Sequence, residues 1–80
     1  MERIIIFGRV YCFDSKKSGK TCYCLDYLDA QTGKSYTDYF VTYQEYLDVK
    51  NQNIPLDTTC VGLLKLNEFD KPYVSSISIN

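Results

Sequence analysis

The chain has no histidine and no tryptophan, and it has only two prolines and one methionine. Without histidine it lacks the one side chain whose unperturbed pKa lies near neutrality, and with it the commonest general base and the commonest metal ligand. An enzyme is therefore not expected, and neither is a cofactor. No stretch approaches the ~20 apolar residues that span a bilayer. The opening MERIIIFGR carries an apolar run far too short for a secretory leader. These absences point to a cytoplasmic protein with no membrane contact. With so few prolines and four glycines there is no linker, repeat or low-complexity tract. Eighty residues then make one small domain, near the lower limit for independent folding, where a chain buries only roughly 60% of its unfolded surface.

What the chain has in excess is tyrosine and phenylalanine, eight and four respectively, or 15% of all residues. Tyrosine serves equally in a β-sheet, at a protein interface and beneath a nucleic-acid base. The net charge of −1 averages two unlike halves. Up to Lys34 the cations Arg3, Arg9, Lys16, Lys17, Lys20 and Lys34 outnumber Glu2, Asp14, Asp26 and Asp29; beyond it the carboxylates are in excess. A basic face is thus expected on the N-terminal half.

Read along the chain, β-branched and aromatic runs alternate with turn signals. Residues 3–13 read as a first strand, followed by a basic loop at 14–19; residues 21–29 read as a second. Gly33 closes a turn into a third strand over 34–42. Thr42 and Glu45 have the spacing of a capping box, with Tyr43, Tyr46, Leu47 and Val49 following at helical intervals. Strands over 58–66 and 72–79 complete a β-β-β-α-β-β order. That order predicts an all-β small barrel of the OB-fold type, a five-stranded partly open Greek key with one short helix between its third and fourth strands.

Strand alternation places Ile4, Ile6, Gly8, Val10 and Cys12 inside and Arg3, Ile5, Phe7, Arg9, Tyr11 and Phe13 outside. Symmetric closure of the first hairpin would set Cys12 opposite Cys22 and Tyr11 opposite Tyr23. The outer face would then gain Tyr23, Leu25 and Tyr27, together with Tyr36 and Phe40 from the third strand, and a bulge at Gly8 or Gly33 would move these assignments by one residue. Aromatics interleaved with arginine, beside loops carrying Lys16, Lys17, Lys20 and Lys34, fit a platform on which single-stranded nucleic acid stacks.

Other chemistry is poorly supported. Cys22-Tyr23-Cys24 lacks the C-x₂-C spacing of a zinc knuckle, and Cys12, Cys22, Cys24 and Cys60 read as buried free thiols. Asp26, Asp29, Asp38 and Asp57 form no spaced metal-binding pair, so no metal is expected. Gly19-Lys20-Thr21 has the tail of a phosphate-binding loop without its leading glycine.

Several of these residues together carry a resemblance: Ser18-Gly19-Lys20, then Tyr23 and Leu25, then Gly33 with Tyr36 and Phe40-Val41, and finally Val61 to Ile79 with Phe69 and Lys71 in its loop. In these the chain resembles the small single-stranded-DNA-binding proteins of filamentous phages, plasmids and conjugative elements. The resemblance implies an OB barrel in a two-fold homodimer that holds DNA without strict sequence preference, with replication or conjugation proteins as partners. It also implies Tyr23 and Phe69 as base-stacking residues and Lys20 as a phosphate contact. The expected interface is Arg9, Tyr11, Lys16, Lys17, Lys20, Tyr23, Tyr36 and Phe69. The alternative is a protein-interaction module, an inhibitor or assembly adaptor, docking through the same aromatic face.

Overall fold

In the computed structural model, which describes residues 1–79, strand β1 runs from Glu2 to Asp14 and contains three consecutive isoleucines besides valine and three aromatics. Such side chains pack well on a pleated surface and lose rotamer freedom in a helix. The length of β1 lets it serve two neighbours. It pairs antiparallel with β2 (Thr21–Asp29) along most of its course and with β4 (Thr59–Leu66) through its first residues. With β3 (Ser35–Tyr39) on β2 and β5 (Pro72–Ile79) on β4, the sheet order is β3-β2-β1-β4-β5. The third strand is shorter than its sequence suggests, ending at Tyr39 so that Phe40 can turn into the core.

Helix α1 (Tyr43–Lys50) starts at the expected capping box. The Thr42 hydroxyl accepts from Glu45 N at 3.2 Å, and Glu45 Oε1 accepts from Thr42 N at 3.1 Å. Tyr46 and Val49 are its buried residues, joining Ile5, Phe7, Leu25, Tyr27, Phe40, Ile54, Cys60, Val74 and Ile77 in one core. Among the described residues no helix is long and apolar enough to cross a membrane.

The faces of β1 differ from simple alternation, and Gly8 is the reason. Phe7 lies opposite Tyr27 and Arg9 opposite Asp26, leaving Gly8 as an extra residue in a β-bulge. Before the bulge the odd positions Ile5 and Phe7 face the core, whereas Ile4 is exposed. After it the inward residue is Val10, and Arg9 and Tyr11 fall on the outer face. The hairpin register also differs from symmetric closure. Asp14 pairs with Thr21 around the loop at 15–20, so Tyr11 faces Cys24 and Cys12 faces Tyr23. Thr21 Oγ1 donates to Asp14 Oδ1 at 2.8 Å, and Gly19 takes a positive φ to close the loop. Of the cysteines, only Cys24 and Cys60 are fully buried; Cys22 is half-buried and Cys12 is exposed, and all four are free thiols.

The sheet curls until β3 approaches β5, but no backbone ladder joins them. Side chains bridge the seam instead. Asp38 Oδ2 accepts from Val74 N and from the Tyr27 hydroxyl, both at 2.9 Å. Tyr73 donates to Glu45 Oε2 at 3.0 Å, and Gln52 Nε2 donates to the Ile77 carbonyl at 3.0 Å, tying β5 to the helical segment. Burial, then the Asp38 hydrogen bond, raises the Tyr27 phenol; burial, then the Glu45 bond, pushes Tyr73 up to about 12.

Two outcomes follow from this architecture. A Cβ at position 8 would sit 2.6 Å from the Asp26 carbonyl oxygen, so Gly8→Ala should lower the free energy of unfolding by ~1–3 kcal/mol. Denaturant titration checks this, and an unchanged midpoint contradicts it. A phenol raised above its unfolded pKa of ~10 keeps its contact fully below that pH and loses it as the pH climbs through the folded value. Stability should therefore fall between pH ~10 and the Tyr73 value of about 12. In Tyr73→Phe this alkaline slope should be shallower, measured by denaturant unfolding across that range; an identical slope rules out the bridge as its source.

Candidate nucleic-acid interface

Beyond the bulge, alternate residues of β1 carry Arg9, Tyr11 and Phe13 along the outer face at steps of ~6.6–6.8 Å. Asp26, directly opposite Arg9 on β2, organises the lower part of this row. Arg9 Nε donates to Asp26 Oδ2 at 2.9 Å, while Oδ1 accepts from the Thr37 hydroxyl at 2.7 Å and the Tyr11 hydroxyl at 3.4 Å. The Arg9 guanidinium carbon lies 4.0 Å from the Tyr11 ring centroid, a cation–π contact. The ring of Phe13 follows 6.5 Å from that of Tyr11, their planes 25° apart. Partial burial pushes the Asp26 carboxyl up, but the hydrogen bonds from Thr37 and Arg9 outweigh it and hold the group below the usual carboxylate range. Burial, then the neighbouring Asp26 charge, raises the Tyr11 phenol.

The last pair between β2 and β3 is Cys24 with Tyr39, so the hairpin beyond it stands as a two-stranded arm. Its loop presents Lys16, Lys17 and Lys20, all exposed. Hydrogen bonds from Ser15 N to the Lys20 carbonyl and from Gly19 N to the Ser15 carbonyl, both 2.8 Å, give the loop a defined shape. From Arg9 to Asp26, the arm together with its base in the sheet, there are four cations against two carboxylates, Asp14 and Asp26, so this hairpin is locally basic in a chain of net charge −1.

No family model, curated protein or solved structure matches the chain.

The eight expected residues are dispersed. Arg9 and Tyr11 are adjacent, and Lys16, Lys17 and Lys20 lie on the loop of the same arm. Tyr23 falls on the opposite face from Tyr11, a consequence of the observed register. It packs against Tyr46 and Tyr43 with ring centroids 4.9 and 5.2 Å away, tying helix to arm. Tyr36 lies near the far end of β2, 5.5 Å from Tyr27 in near-parallel stacking, with the cations of Arg3 and Lys34 over its ring. Arg3 also donates to the Tyr27 hydroxyl at 2.9 Å, so this second aromatic group is part of the inner architecture.

Phe69 projects from the loop between β4 and β5 with 71% of its surface exposed. That loop is held in place: Asn67 Oδ1 accepts from Phe69 N at 2.9 Å and Lys71 N at 3.0 Å, and Asp70 turns the chain with φ +57°. Phe69, Tyr39 and Val41 line a groove of about 440 Å³. Tyr39 shares the outer face with Tyr11, because both lie directly opposite Cys24. Sequence reasoning passed over Tyr39 and left Phe13 out of the expected interface. What hid Tyr39 was the loop length that sets the hairpin register, which brings Cys24 rather than Tyr23 opposite Tyr11. The outer face thus presents Phe13, Tyr11 and Tyr39 in sequence toward Phe69, and burial beneath Tyr11 and Tyr39 raises the Cys24 thiol.

A carboxylate whose folded pKa is depressed stabilises the protein above its unfolded pKa of ~3.9, and that contribution is lost as the pH falls through the folded value. Wild-type stability should fall on acidification below about pH 5. Asp26→Asn should show a shallower fall, with Asp29, held low by the backbone N–H groups of Thr32 and Gln31, supplying the remainder. Chemical denaturation over an acid pH series measures both slopes; equal slopes would contradict the assignment.

Proposed function

We propose that this protein binds single-stranded DNA without catalysing a reaction. Bases stack on Tyr11, Phe13, Tyr39 and Phe69, and Arg9, Lys16, Lys17 and Lys20 contact phosphates. The observation that carries the reading is the outer face of the hairpin, where Arg9, the half-buried ring of Tyr11 and the exposed ring of Phe13 follow one another along one strand that leads into a lysine-bearing loop. Stacking on aromatic faces with cations beside them is how unpaired strands are held without base-specific hydrogen bonds. The pairing of one long β1 with both β2 and β4, and the approach of β3 to β5, support an OB-type barrel. Together with the resemblance in residues 18–41 and 61–79, this favours a cytoplasmic, homodimeric protein of a phage, plasmid or conjugative element, acting beside replication or conjugation proteins. Tyr23 and Tyr36, which the resemblance and the strand pattern suggested as stacking residues, are assigned here to holding the helix and the strand ends.

A second reading, docking of a protein partner, is favoured by one feature. The outer face of β1 and β4 carries Ile4, Val61 and Leu63 without a cation among them, and Ile4 and Leu63 are exposed. Light scattering distinguishes the two: self-association that persists at high salt in a protein without affinity for DNA supports docking.

The DNA reading is tested by titrating oligothymidylate at several salt concentrations and following tyrosine fluorescence. Quenching is expected, with log K falling against log salt by ~0.7 per phosphate contacted on single strands. Lys16→Ala and Lys20→Ala should each flatten that dependence, and Tyr11→Ala should cost ~1–3 kcal/mol of binding. Absence of binding at low salt, or binding indifferent to all three substitutions, overturns the proposal.

A further inference from the structure

We infer that the Tyr11 and Phe13 rings are the two walls of a slot that takes one nucleobase between them, face to face. This deepens the single-stranded-DNA reading and rests on it. The orientation of the Tyr11 ring follows from Arg9. A guanidinium carbon 4.0 Å from the ring centroid can only lie over the ring's face, since an approach at the edge is held farther off by the ring's own hydrogens. Arg9 precedes Tyr11 by one two-residue step of β1, so the face it covers looks back along the strand. The other face therefore looks forward, toward Phe13.

Phe13 stands at a centroid distance of 6.5 Å with its plane only 25° from that of Tyr11. This matches the two-residue strand step of ~6.6–6.8 Å, the separation of rings that follow one another along the strand. Direct face contact needs ~3.5–4.0 Å between carbons. The spacing is instead close to twice the ~3.4 Å repeat of stacked bases, which is the thickness one inserted base requires. Arg9 already covers the back of Tyr11, leaving its front face as the open one.

The surroundings suit a base held by its faces. The cross-strand neighbours of the two rings are Cys24 and Cys22, so the β2 side of the slot carries thiols and no charged group to read a base edge. The Tyr11 hydroxyl is tethered to Asp26 at 3.4 Å, which limits rotation of that wall, while Phe13 remains 43% exposed and can yield as a base enters. Phosphates on either side of the inserted base would meet Arg9 toward one end and the loop lysines toward the other. The ligand class is therefore any planar base of an unpaired strand, one per slot, with little dependence on which base.

The test is proton magnetic resonance of a short oligothymidylate titrated with the protein at low salt. A base between two rings lies in both of their shielding regions, so one thymine should shift strongly upfield. Phe13→Leu, which keeps apolar bulk and removes the flat face, should abolish that shift and weaken binding about tenfold or more. Phe13→Tyr should retain both, and this rescue separates a stacking wall from a structural side chain. Lys16→Ala with Lys17→Ala should weaken binding while leaving the shift in place. If the oligonucleotide binds but no base shifts upfield, or the shift survives Phe13→Leu, the slot is wrong and the DNA reading stands. If it does not bind, the DNA reading fails, and thymidine monophosphate alone then decides the slot. An upfield shift lost in Phe13→Leu supports it; no shift overturns it.

Discussion

The Asp26 carbonyl oxygen occupies the space in which a side chain at position 8 would begin, 2.6 Å from where a Cβ would lie. Only glycine lets β1 and β2 approach so closely, and the bulge made there reverses the inward and outward positions of everything that follows on β1. Ile5 and Phe7 are thereby spent on the core, whereas Arg9, Tyr11 and Phe13 are turned to the opposite side. Without the reversal, the same thirteen-residue strand would carry Arg9 and Tyr11 on one face with its core residues. The bulge thus lets one strand serve both as the centre of the sheet and as the outer edge of the candidate interface.

A chain this small cannot extend its sheet far, and closing it takes a different kind of contact. Between β3 and β5 the Asp38 carboxylate substitutes for a backbone ladder, accepting from an amide on one strand and a phenol on another. Glu45 does similar work at the helix, where one oxygen caps the first turn and the other accepts from Tyr73. A charged acceptor makes stronger hydrogen bonds than a carbonyl and can serve several donors, so a few carboxylates hold elements that share no strand pairing. Much of the acidic excess of the chain is therefore structural, and net charge says little about what the arm attracts.

The elements were readable from the sequence because each rests on local chemistry. The capping box at Thr42 and Glu45, the turn at Gly33 and the β-branched runs of β1 and β4 were all identifiable before any tertiary contact was known. What remained illegible depends on register. Whether Tyr23 shares a face with Tyr11 turns on a single residue in the loop at 15–20, and the answer is held by the Asp14–Thr21 hydrogen bond and the left-handed Gly19. Tyr39 escaped notice because its face is set relative to Cys24 across the sheet. Phe69 was visible as a loop aromatic, yet the Asn67 hydrogen bonds that hold it in place belong to a turn no spacing rule describes.

Stacking and charge meet on one face of the arm, and the other face is occupied by the packing of Tyr23 against the helix. This division is the central claim, and amide chemical-shift mapping of isotope-labelled protein with an unlabelled single strand tests it most directly. The account predicts perturbations at residues 9–13 and 15–20, at Tyr39 and in the loop around Phe69, with Tyr43, Tyr46 and the body of α1 unmoved. Perturbations centred on Tyr23, Tyr43 and Tyr46, or none at all at low salt, would contradict it.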